Sequence, residues 1–116
     1  MRKNIIFLFL VMFFLMFSMQ GFSHPASKIT LSTEGTVLHV TVNHDVGSSE
    51  DHYINEILVF LNEKELIRQI FSMQTDNIQE VSYTIPSLKP GDEITVSTNC
   101  IRGGKQSGTI MVKPAS

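Results

Sequence analysis

Alternation with a period of two, in short runs closed by turn residues, is the feature that most narrows what this chain can fold into. Thr36 to Val42 is the clearest run: Leu38, Val40 and Val42 share one face, and Val37, His39 and Thr41 the other. Successive side chains of an extended strand point to opposite faces, so the pattern marks a half-buried strand. Lys28 to Ser32 reads as a strand before it, with Ile29 and Leu31 aligned, and Thr33-Glu34-Gly35 as the turn of a hairpin.

The same reading continues downstream. His52 to Leu61 is a strand with a bulge expected near Asn55-Glu56, and Asn62-Glu63-Lys64 is a turn. Glu65 to Ser72 suits a strand or a helical stripe; its flanks favour the strand. Gln74 to Asn77 reads as a polar loop, and Gln79 to Ile85 alternates again. Pro86 and Pro90-Gly91-Asp92 mark a reversal, because proline restricts φ and glycine frees it. Glu93 to Asn99 is a strand with Ile94 and Val96 on one face, and Cys100 has their parity. Arg102 to Gly108 reads as a glycine-rich loop, and Thr109 to Lys113 as the last strand. Seven short strands with regular turn signals predict an all-β, immunoglobulin-like two-sheet sandwich. A chain with no Trp and one Cys lacks the Cys-Trp-Cys signature of antibody domains.

That count excludes the start of the chain. Arg2 and Lys3 precede an unbroken apolar run from Ile5 to Phe17, followed by polar and small residues up to Ser23. This order predicts a signal peptide over 1–23 and one domain over 24–116, exported to the periplasm or secreted. The run is shorter than a full membrane span, so a membrane association is expected only where the segment stays uncleaved. Without Arg2 and Lys3, seven basic residues face eleven acidic ones, a formal charge of −4. That balance argues against nucleic acid as a partner.

A single cysteine makes no internal disulfide, so Cys100 is a free thiol, an intermolecular partner or a ligand. The histidines are His24, His39, His44 and His52. His39 lies mid-strand on the face opposite Leu38 and Val40, and reads as a sheet-face residue. His44 and His52 bracket an irregular polar loop, at the loop–strand junctions where ligands are commonly presented. Imidazole suits iron, zinc and copper, and thiolate is a soft ligand. From residue types alone two readings stay open: a metal site of His44, His52 and Cys100, or two loop histidines and a structural cysteine. Cleavage before His24 would place an α-amine and an imidazole on one residue. Asp45, Glu50 and Asp51 read as solvated, and Gly103-Gly104-Lys105 lacks the rest of a phosphate-binding loop.

Three stretches, His44 with His52-Tyr53-Ile54, Lys89-Pro90-Gly91-Asp92-Glu93-Ile94, and Cys100, together resemble the iron-binding domain of the desulfoferrodoxin and superoxide reductase family. The resemblance runs over about residues 27–112. It implies an immunoglobulin-like sandwich holding one iron by four histidines and an axial cysteine thiolate. Such a centre reduces superoxide to hydrogen peroxide with electrons from an external donor. Carried over by position, His44 and His52 match the histidines that open and close the loop, Cys100 the axial cysteine, and His24 the early histidine. The implied metal ligands are therefore His24, His44, His52 and Cys100. The family's Cys-x-x-His-Gly reads here Cys100-Ile101-Arg102-Gly103-Gly104, so Gly103 stands where the fourth histidine is expected. Fewer ligands including a thiolate would also suit zinc or copper. The competing expectations are a non-catalytic metal-binding or carrier domain and a metal-free β-sandwich interaction module.

Overall fold

The structure, a computed structural model, describes residues 25–46 and 51–114. The expected signal segment and His24 lie outside the described residues. Seven strands follow in order: β1 Lys28–Glu34, β2 Val37–Asn43, β3 Ile54–Leu61, β4 Lys64–Ile70, β5 Ile78–Thr84, β6 Glu93–Cys100 and β7 Lys105–Met111. They form two antiparallel sheets, β1-β2-β5 and β4-β3-β6-β7. This is the two-sheet, immunoglobulin-like sandwich that the alternation predicts.

The core follows from parity. Leu38, Val40 and Val42 of β2 face Ile94, Val96 and Cys100 of β6, with Ile54, Ile57 and Val59 of β3 beside them, all at most 1% exposed. Each fully buried aliphatic side chain contributes about 1.5–3 kcal/mol relative to exposure. Tyr83 of β5 reaches toward β4 and donates its hydroxyl hydrogen to Gln69 Oε1, and partial burial pushes its pKa up to about 12.

Two features fix the ends of the sandwich. At one pole, β3 and β4 are joined by Asn62 and Glu63, both with positive φ, between the paired Leu61 and Lys64. Two such residues give the two-residue reversal that matches strand twist. The Asn62 side chain then accepts from Glu93 N and donates to Asp92 Oδ1. Asp92 Oδ2 accepts from Lys89 N, and Oδ1 also from Lys89 Nζ, which closes the β5–β6 connection. At the opposite pole, the register between β3 and β6 shifts between Ile54 and Glu56, the bulge expected near Asn55-Glu56. The Asn55 side chain accepts a hydrogen bond from Asn99 Nδ2 there, 2.8 Å away.

Some boundaries differ from the sequence reading. β1 runs on through Thr33 and Glu34, so the first turn is Gly35-Thr36. β3 starts at Ile54, and His52 and Tyr53 lead into it outside the ladder. The largest change is β7. Lys105 to Gly108, expected as loop, pair with Asn99 to Val96 of β6. Backbone hydrogen bonds to a core strand hold an edge strand without an apolar pattern of its own. Gly108 there faces the other sheet, and a side-chain carbon on it would lie 3.6 Å from Ile29 and 3.7 Å from Leu31.

Candidate metal centre

The bulged pole gathers three of the four residues expected to bind metal. His44 is the first residue after β2, and its backbone N–H donates to Asn77 O at 2.8 Å. Cys100 is the last residue of β6 and pairs with Ile54 of β3. His52 lies two residues before Ile54, in the approach to the same strand. Each residue thus sits at, or within two residues of, the end of a rigid strand.

One donor atom from each of His44, His52 and Cys100 lies within 4.8 Å of the others. With metal–nitrogen distances near 2.0 Å and metal–sulfur near 2.3 Å, two ligands opposite each other on one ion stand ~4.3 Å apart. Only one pair of the three can be opposite; a tetrahedral ion sets its ligand atoms ~3.5 Å apart, so the three donors would draw together by up to ~1.3 Å to share one in that geometry. The His44 and His52 rings meet edge to face, centroids 4.8 Å apart at 89°. His44 and Cys100 are each 1% exposed, whereas His52 is half-buried and forms the outer side of the group. Two imidazoles and a thiolate are a donor set that binds iron, zinc or copper.

The turn after Cys100 is tightly held. Gly103 N–H donates to Cys100 O, Cys100 N–H donates to Gly104 O, and Ile101 N–H donates to Tyr53 O. The last bond ties the residue after the thiol to the residue after His52. Arg102 Nε donates to Asp51 O at 3.3 Å, which places a cation on the rim of the site. Gly103 has φ +101, and a side-chain carbon there would meet nothing within 4 Å.

Gln74 is the residue the sequence reading missed. It lies in the β4–β5 connection, yet it is 1% exposed, and its side chain lies 2.9 Å from His44 Nδ1. No spacing rule singles it out, because its partners, His44 and Ile54, are 30 and 20 residues away in sequence. His39 stays apart from the group: it is on β2 with Nδ1 2.8 Å from Ser82 Oγ on β5. Asp45 and Asp51 are exposed, as expected of solvated carboxylates.

No protein-family model matches the chain, and no curated protein matches its sequence. Solved structures do match it in fold. Superoxide reductase (neelaredoxin) from Ignicoccus hospitalis aligns at a TM-score of 0.50 and 16% identity, over 76% of this chain and 79% of that one. A single-substitution variant of it aligns at 0.53 and 14%, over 83% and 84%. A second variant gives 0.53 and 14%, over 76% and 80%. The chain has the fold of the superoxide reductases.

Proposed function

We propose that the chain is an exported mononuclear iron-binding protein of superoxide reductase type, which reduces superoxide to hydrogen peroxide with an external electron donor. The observation that carries this reading is the convergence of His44, His52 and Cys100 at one pole of a superoxide reductase-like sandwich. The chemistry is balanced by one electron and two protons per superoxide, with the oxygen–oxygen bond kept. Bound iron would supply the electron and be re-reduced by a separate redox protein. The chain's own residues hold the donors: strand ends fix His44 and Cys100, and the half-buried His52 leaves the site a side near solvent. Arg102 at the rim favours approach of a small anion. The apolar leader over 1–23 supports export, to the periplasm or outside the cell.

A second reading, a metal-binding or carrier protein without redox turnover, is favoured by Gly103. Glycine offers no ligand where the resemblance expects a histidine. His44, His52 and Cys100, with or without His24, suit a four-coordinate zinc or copper ion as well as iron.

Metal analysis of protein purified without chelators or an affinity tag tests the site. One equivalent of iron supports the first reading, one of zinc or copper the second, and none leaves a metal-free interaction module. Rapid mixing of the ferrous protein with superoxide then separates catalyst from carrier. Oxidation of the iron with one peroxide formed per superoxide is expected. Unchanged ferrous protein would remove the catalytic reading.

A further inference from the structure

The amide of Gln74 is oriented by backbone groups alone. Its Nε2 donates to His44 O and to Asp76 O, both at 2.8 Å. Its Oε1 accepts from Ile54 N–H at 3.3 Å. Carbonyl oxygens only accept and a backbone N–H only donates, so the amide nitrogen and oxygen cannot be exchanged. The same Oε1 lies 2.9 Å from His44 Nδ1. An amide oxygen can only accept there, so Nδ1 must carry the hydrogen. In a neutral imidazole the lone pair is then on Nε2.

We propose that Gln74 is a positioning residue that holds His44 as the Nδ1–H tautomer and so reserves Nε2 for the metal. The metal half of this inference rests on the proposed site; the tautomer does not. Metal-bound imidazoles are commonly oriented by an acceptor on their second nitrogen, and losing that acceptor weakens binding. Here that acceptor is Gln74 Oε1, itself fixed by Ile54 N–H. The bound ring needs neither to turn over nor to move a proton between its nitrogens.

The rival role for Gln74 is purely structural. By bonding His44 O at the end of β2 and Ile54 N at the start of β3, the side chain also clips the two sheets together. A clip affects stability and leaves the tautomer without a preference, so the two roles have different readouts.

The experiment is nitrogen NMR on the full chain labelled with ¹⁵N-histidine, metal-free, at a pH where the imidazoles are neutral. The expected spectrum shows a proton on Nδ1 of His44 and a pyridine-type Nε2. A proton on Nε2, or fast averaging of the two forms, would overturn the proposal. Gln74→Met removes the acceptor and should give a tautomer mixture and zinc binding weaker by about 10–100-fold. Gln74→Glu keeps an acceptor toward Nδ1 while losing both donations, so it should keep the wild-type tautomer at a lower melting temperature. Should Gln74→Met not fold, the wild-type spectrum and the Glu variant decide. A Met variant that is destabilised but retains the wild-type tautomer and zinc affinity would leave Gln74 as a clip and sink the proposal. A wild-type Nδ1–H tautomer in a protein that binds no zinc or iron would support the assignment while removing the proposed function.

Discussion

Ile54 and Cys100 face each other across β3 and β6, both buried. That pairing, at the edge of the Asn55 bulge, brings the thiol beside the approach to β3 that carries His52. The site therefore depends on strand register as much as on its side chains: a one-residue slip would turn Cys100 to the other face.

Substituting the candidate ligands should separate binding from folding. With cobalt(II) as probe, the wild-type protein should show thiolate-to-metal absorption, and Cys100→Ser should lose it. His52→Ala should weaken cobalt binding by more than the roughly 10–100-fold expected for an outer partner. Because His52 is half-buried, its stability cost should be about 1 kcal/mol or less. Cobalt titration with a thermal melt of each metal-free variant checks both. Unchanged affinity in His52→Ala would remove it from the site.

The opposite pole makes the protein sensitive to acid. Hydrogen bonds from the Asn62 amide, the Lys89 backbone N–H and the Lys89 ammonium hold the Asp92 carboxyl below the usual carboxylate range. A depressed folded-state pKa contributes stability that is present above the unfolded value of about 4 and lost as pH falls through the lower folded value. Melting temperature should drop over that window, and Asp92→Asn should show a shallower drop from a lower start. Parallel curves for the two proteins would show that Asp92 is not responsible.

Gly103 offers a test of the turn beside the thiol. Space is open around it, but its φ of +101 disfavours any residue with a side chain. Gly103→His should therefore cost about 1–3 kcal/mol of stability in metal-free protein, measured by denaturant unfolding. An unchanged midpoint would mean that the turn relaxes freely and that histidine is tolerated where the resemblance expects one.

Alternation made β2, β5 and β6 legible, since β2 and β6 bury every second residue and β5 half-buries its own, and the parity of Cys100 with Ile94 and Val96 placed it inward. The bulge at Asn55 was legible because a polar pair interrupts an apolar strand. Lys105 to Gly108 gave no such signal: an edge strand is held by the backbone of its neighbour, which leaves little trace in side-chain type. Gln74 was hidden for a different reason. A polar residue between two strands looks the same whether it faces solvent or is sealed under the sheets. The meeting of His44, His52 and Cys100 required long-range register; residue types left it as one of two open readings, and the resemblance favoured it.

His44 follows a strand of one sheet, while Cys100 ends a strand of the other and His52 leads into one. In antibody domains a disulfide crosses between the sheets, and this chain, with one cysteine, has none of its own. An ion shared by these residues would serve as a removable cross-brace. Each gain in metal occupancy would then stiffen the sandwich, and any force that spread the sheets at this pole would also expel the ion.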